Sequence, residues 1–230
     1  SEADYATDAP NWTTVLDLDA LSKAEGKKWV WKGASILDPD ERLALINLSD
    51  GGEDAVSLRE FDLETGKFVD GGFAIPTSKQ NEAWLDRETI LIARDWGDGT
   101  MTKSGYPFVV KTLKRGEPLS SAREIYRGAP SDQVGTFPMI LSDGSGNRAA
   151  FLYRGVTFFS NETYLVDGAE VKRLPLRLRL LTVMQRTLRL RPKLRTRGHS
   201  RRSTSTSMKI SRTFFCWICR TASGLPSASS

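Results

Sequence analysis

The sequence predicts an all-β fold, and within that class a partial β-propeller of about three blades of antiparallel strands. Three observations predict it. Short β-rich runs alternate with Gly, Asp, Asn and Pro turns from Lys28 to Arg173. Those runs group into a unit that restarts near residues 42, 88 and 148, spaced by 46 and 60 residues, close to the roughly 40 to 50 residues of a four-stranded blade. No long helical period interrupts them.

The one helix expected is Leu16 to Gly26, where Asp17 or Asp19 caps a short run rich in Leu, Ala, Lys and Glu and Gly26 stops it. The first repeat then places strands at Arg42 to Leu48 and Val56 to Asp62, with a turn over Ser49 to Asp54. Glu64-Thr65-Gly66 turns into a third strand at Lys67 to Val69. The second repeat runs through Glu88 to Asp95, Phe108 to Leu113, a turn at Arg115-Gly116-Glu117, and Arg123 to Tyr126. The third runs through Asn147 to Arg154, Thr163 to Val166, a turn at Asp167-Gly168, and Glu170 to Leu174. Because a blade buries its faces only against neighbouring blades, three cannot close a ring of roughly four to eight, and part of the ring is expected to be missing.

Charge divides the chain more sharply than pattern does. Residues 174–230 hold 13 Lys or Arg and no Asp or Glu, whereas residues 1–173 carry 20 basic against 28 acidic side chains. Ordinary composition would put about seven carboxylates in a stretch of that length. The expected organisation is therefore a lead-in with a short helix over 1–27, a partial propeller over 28–173 and a basic, irregular tail over 174–230. Arg189, Arg191, Lys193, Arg195, Arg197, Arg201 and Arg202 suit a nucleic-acid-binding arm, and the Ser and Thr run at 203–207 suits a disordered segment. A shifted reading frame of G/C-rich coding DNA yields the same composition. No run of about eighteen apolar residues occurs, and residues 1–10 are acidic and polar, so neither a membrane span nor a signal peptide is expected and the setting expected is cytoplasmic.

Specific words add to this pattern. Trp12, Leu16-Asp17-Leu18-Asp19, Leu21, Glu25-Gly26 and Trp29-Val30-Trp31-Lys32-Gly33 open a series that continues through Leu48-Ser49-Asp50-Gly51-Gly52, Arg59-Glu60-Phe61-Asp62 and Gly71-Gly72-Phe73. Trp84-Leu85-Asp86, Thr102, Ser104-Gly105-Tyr106-Pro107 and Lys114-Arg115-Gly116 complete it. In order and spacing the series resembles the opening of the propeller in bacterial prolyl oligopeptidase-type serine peptidases, well over about residues 10–130 and weakly over 131–173. The resemblance implies a two-domain enzyme, in which a propeller restricts peptide access to an α/β-hydrolase domain carrying a Ser, Asp and His triad. It implies peptide substrates reached through that second domain; separately, no cofactor and no membrane partner are expected, and nucleic acid is not the expected partner.

The triad itself is not written in this chain, and no catalytic, cofactor or metal residue is expected here. A hydrolase nucleophile sits in a G-x-S-x-G elbow, where small residues permit the strained turn. The nearest text, Asp143-Gly144-Ser145-Gly146-Asn147, has Asp and Asn at the glycine positions and precedes a strand, so it is expected to be a hairpin turn. The single histidine, His199, lies among Gly198, Ser200, Arg201 and Arg202 with no carboxylate to orient it. Cys216-Trp217-Ile218-Cys219 lacks the second pair that a zinc site needs. Counting Asp50 as the first position of a calcium loop puts Phe61 where a bidentate Glu is required, and Ser49 to Asp54 and Asp95 to Gly99 are expected to be solvated turns. Arg59, Glu60 and Asp62 remain as candidates for lining the central channel, with Glu60 and Asp62 on one strand face and Arg59 on the other. The chain is thus expected to be inactive alone, as the propeller of a serine-type endopeptidase. The alternative is a non-catalytic, propeller-like binding module with a basic nucleic-acid-binding tail.

Overall fold

The computed structural model describes residues 9, 13–143 and 146–175. The basic tail from residue 176, with His199, Cys216 and Cys219, lies outside the described residues. The chain begins with helix α1 (Leu18–Glu25). Asp17 caps it, accepting the Ala20 N–H at 2.9 Å, and Gly26 ends it at φ 63°, a left-handed conformation that costs glycine little.

Three antiparallel sheets follow in chain order, each a meander. The first contains β1 (Trp29–Ile36), β2 (Leu43–Asp50), β3 (Val56–Asp62), β4 (Lys67–Phe68) and β5 (Ala74–Ser78), with β4 and β5 both paired to β3. These two short strands are a single outer strand broken at residues 69–73, where Val69 N–H bonds to the Glu60 carbonyl and Glu60 N–H to that of Phe73. The second sheet is β6 (Gln80–Asp86), β7 (Thr89–Arg94), β8 (Val109–Lys114) and β9 (Arg123–Arg127). The third is β10 (Gly135–Ser142), β11 (Arg148–Gly155), β12 (Asn161–Asp167) and β13 (Glu170–Arg173). Each sheet is one blade, and the partial propeller expected from the sequence is present.

The blades differ from the expected ones at their beginnings. Their first strands start at residues 29, 80 and 135, so the repeats are 51 and 55 residues long rather than 46 and 60. The pattern in the sequence had marked the second strand of each blade. The first strands β1, β6 and β10 pack beside one another, β6 touching both of the others.

Alternation along the strands builds two apolar seams. On β7, Ile90 and Ile92 join Leu43, Leu45, Leu58, Phe73, Ile75, Trp84 and Leu113 between the first two blades. Leu91 and Ala93, pointing the other way, join Val110, Ala150, Leu152 and Val166 between the second and third. A central blade is thus buried on both faces, and each of these large side chains contributes about 1.5–3 kcal/mol of transfer free energy. The other face of the first blade, around Ala44, Ile46, Leu48 and Phe61, is covered by Leu16, Leu18 and Leu21 of the helical lead-in. Among the described residues no helix is long and apolar enough to cross a membrane.

Candidate functional site

Strand direction sorts the connections into two ends. The turns after β1, β3, β6, β8, β10 and β12 lie at one end, which is built of short turns. The one long loop, at 95–108, lies at the other, together with the loop at 156–160 and the connection at 128–134 between the second and third blades.

Arg59, Glu60 and Asp62 stand on β3, two strands out from the first strand of their blade. Their alternation is as expected, but the structure does not bring the three together. Arg59 turns to the helix side, donating to Glu25 Oε1 and Oε2 at 2.6 and 2.7 Å and lying over the rings of Trp29 and Phe68. Glu60 points into the first seam with its side chain 0% exposed. There it accepts two bonds from the Arg115 guanidinium, at 2.8 and 2.9 Å, and one from Phe73 N–H at 2.9 Å. Asp62 takes the Arg42 guanidinium at 2.7 and 2.9 Å and the N–H groups of Glu64 and Thr65, which hold its carboxyl down at about 2. Arg115 belongs to the turn after β8, so the Glu60 contact clasps the second blade to the first at the short-turn end.

The first strands carry a second set of polar contacts, which the sequence reading did not single out. Gln80, Glu82 and Trp84 alternate along β6 toward the first blade, and each bonds to it. Gln80 Nε2 donates to the carbonyls of Val56 and Pro76, at 2.7 and 3.3 Å. Glu82 Oε1 accepts from Asn47 Nδ2 at 2.7 Å, and Trp84 Nε1 donates to the Ser35 carbonyl at 2.9 Å. Burial pushes the Glu82 carboxyl up to about 7, against the downward pull of its Asn47 bond. From the third blade, Arg148 donates to the carbonyls of Trp84 and Leu85, so β6 is held from both sides.

At the long-loop end, Gln133 ties two loops together. Its carbonyl accepts from Ser104 Oγ at 2.7 Å and its Oε1 from Phe158 N–H at 3.2 Å. Asp132, beside it, is nearly fully buried and accepts both arms of Arg154 at 2.8 Å. Burial raises this carboxyl, but Arg154 and the Ala129 N–H outweigh it and leave it below the usual carboxylate range. On this frame Tyr106 is 41%, Phe158 70% and Phe159 99% exposed, an aromatic group held out from a hydrogen-bonded scaffold. The one sequence signal for this face is the Thr102 to Pro107 word: Thr102 Oγ1 accepts the Tyr106 N–H, and Thr102 N–H bonds to the Tyr106 carbonyl.

The acidic word at 95–99 is a turn, whereas the one at 49–54 begins inside β2, which runs to Asp50 and buries Ser49, and only its remainder turns. Asp95 accepts from Gly97 N–H, Asp50 is bound by Lys27 and the Lys28 N–H, and Asp143 and Asn147 bond across the turn joining β10 and β11. Among the described residues no three His, Cys, Asp or Glu side chains are grouped to hold a metal ion.

Comparison with known proteins matches this architecture. Residues 2–178 fit the family model for the N-terminal β-propeller domain of prolyl oligopeptidase. An uncharacterized peptidase of Sinorhizobium fredii is 47% identical over 159 residues, covering 69% of this chain and 22% of that protein. One of Rickettsia prowazekii is 32% identical over 172 residues, covering 71% of this chain and 24% of its own length. The solved structure of a post-proline cleaving enzyme from Rickettsia typhi superposes with a TM-score of 0.69 at 27% identity, over 76% of this chain and 27% of that one. The chain therefore spans about a quarter of the length of these relatives. Matched by that family model over most of its length and built of three meander blades, it belongs to the prolyl oligopeptidase family, as part of the N-terminal β-propeller domain.

Proposed function

We propose that this chain is the propeller portion of a cytoplasmic, serine-type endopeptidase that cleaves after proline, and that it gates peptide access to a hydrolase domain encoded elsewhere in the parent protein. The observation that carries the reading is the set of first strands, β1, β6 and β10, side by side and cross-linked to their neighbours through Gln80, Glu82, Trp84 and Arg148. A stiff wall of this kind, continued round a full ring, encloses a passage that admits an extended peptide and rejects a folded protein. The relative described as a post-proline cleaving enzyme supports the choice of substrate. The long-loop end, with Tyr106, Phe158 and Phe159 exposed, is the face we assign to the hydrolase domain.

Two measurements test the proposal. The 230-residue chain, incubated with a fluorogenic proline-containing peptide, is expected to show no turnover. Cleavage that an active-site serine reagent abolishes would place the chemistry in this chain and refute the division of labour. In the full-length parent enzyme, a short proline peptide is expected to be cleaved while the same sequence inside a folded protein is spared. Equal rates on both would refute gating.

A further inference from the structure

We propose that Glu82 and Asn47 form a neutral acid–amide pair across the first seam, with Glu82 Oε2 protonated and donating to Asn47 Oδ1, and that this makes the joint between the first two blades tighten as pH falls below neutral.

The argument begins with an unmatched atom. Asn47 Nδ2 donates to Glu82 Oε1 at 2.7 Å, but Asn47 Oδ1 is buried and has no donor among the described residues. A buried acceptor left without a partner forfeits the hydrogen bond it had in water, so such atoms are rare in well-packed seams. Within the pair, the group able to acquire a proton is the second carboxyl oxygen of Glu82. A protonated carboxyl has one O–H donor besides its acceptor capacity, and an amide offers one donor side and one acceptor side, so the two close a ring of parallel bonds. The ionised carboxylate accepts only. It would leave Asn47 Oδ1 unpaired and set a charge in a half-buried site where no neighbouring cation pairs with it.

The charged groups around the pair do not supply that countercharge. Arg94 of β7 stands diagonally across from Glu82 on the same face, where its Nε donates to the Asp95 carbonyl, its guanidinium lies over Trp96 and its buried Nη1 has no partner among the described residues, but it makes no ion pair with Glu82. Lys111 of β8 lies over the same indole ring. On β3, Glu60 is taken by Arg115, and on β1, Lys32 donates to the Gly52 carbonyl. The facing stretch of β2 contributes Leu45, Asn47 and Ser49, and neither β5 nor β10 contains a charged residue. Among the described residues none of these cations forms an ion pair with Glu82. Burial, not repulsion between charges, raises its carboxyl.

The position gives the pair its consequence. Glu82 is the middle one of the three β6 side chains that bond to the first blade, between Gln80 and Trp84. Loss of its proton therefore loosens the centre of that row.

The test is a carbon-13 NMR titration of the glutamate side chains in the full 230-residue chain, with Glu82→Gln to assign the signal. One carboxyl is expected to titrate near neutrality and to vanish in Glu82→Gln. The companion experiment is the pH dependence of unfolding. With the folded carboxyl at about 7 and its ordinary value at 4.5, the native state holds a proton that the unfolded chain releases. The folding equilibrium of the wild type is then expected to weaken by about 150-fold between pH 4.5 and pH 8, and that of Glu82→Gln by far less. A Glu82 carboxyl titrating at or below 4.5, as it would if Arg94 swung over to pair with it, overturns the proposal. So do parallel pH profiles for the two proteins. If Glu82→Gln does not fold, the wild-type titration decides alone, and the absence of any glutamate titrating near neutrality overturns the proposal.

Discussion

Replacing Arg115 by Met tests how the first two blades are held together. Glu60 has no solvent contact through its side chain, and Arg115 is 20% exposed. In the native protein the carboxylate is met by two guanidinium bonds and the Phe73 N–H, while Arg115 also donates to the Arg87 carbonyl and lies 5.1 Å from the centre of the Phe73 ring. Arg115→Met keeps most of the side-chain volume but leaves a buried carboxylate with a single backbone donor. Breaking a buried pair in this way typically costs about 3–5 kcal/mol. Because Arg115 retains some solvent contact, water can partly take its place, and the expected loss is about 3 kcal/mol. With a urea dependence of about 2 kcal/mol per molar, the unfolding midpoint should fall by roughly 1.5 M. Tryptophan fluorescence of the full chain follows the change, since Trp84 lies in the same seam. The double variant Glu60→Gln with Arg115→Met removes the orphaned charge and should recover more than half of the loss. A single-variant cost below about 1 kcal/mol, or a double variant no more stable than the single, would refute the view that a desolvated charge sets the magnitude.

Other perturbations separate further contributions. Trp84→Ala should cost about 3–5 kcal/mol by denaturant melt, because the side chain is 1% exposed, stacks edge-on with Phe73 at 5.6 Å and loses its bond to Ser35. Gly72→Ala should destabilise by about 1–3 kcal/mol, since the new Cβ would meet Glu60 Oε2 at 2.9 Å and Val69 Cβ at 3.0 Å; an unchanged melting temperature would show that the break between β4 and β5 can give way. Arg42→Ala should raise the Asp62 carboxyl from about 2 back toward 3.8 in an NMR titration, because the guanidinium is the largest of the influences holding it down. The acid limb gives the same sign. A depressed carboxyl contributes stability above its ordinary value and loses it as pH falls through about 2, so Arg42→Ala should make the unfolding midpoint less sensitive to acid below pH 4.

Much of the fold was legible in short-range chemistry. Asp17 as cap and Gly26 as stop place α1 to within two residues, and strands β2, β3, β7, β8, β9, β11, β12 and β13 all fall on β-rich runs flanked by Gly, Asp or Asn. The first strand of every blade escaped that reading, for three separate reasons. In β6 four of seven residues are Gln, Asn, Glu or Asp, because that strand bonds to its neighbours through side chains as well as backbone. Strand β10 contains Pro138, tolerated because β10 pairs on one edge only, with β11. Strand β1 is bulged between Trp31 and Gly33, where Gly33 adopts φ 123°. Strand β5 was missed as well, being short, broken from β4 and occupied by Pro76.

The sequence by itself determined the all-β class, the blade-by-blade order and the division of charge at residue 174, because strand propensity, turn chemistry and composition are written within a few neighbouring residues. It marked Arg59, Glu60 and Asp62 as a polar strand pattern, but it did not assign their partners. Glu25, Arg115 and Arg42 stand 34, 55 and 20 residues away from them, and docking of α1, stacking of the second blade and pairing of β2 with β3, respectively, bring them into contact. Glu82 shows the same limit, since one carboxylate among 28 acidic residues becomes distinctive only when Asn47, 35 positions earlier, is folded against it between two blades. Desolvation belongs to the assembled interface, so the tertiary structure alone decided which charges are clasped, which are solvated and which carboxyl is pushed up.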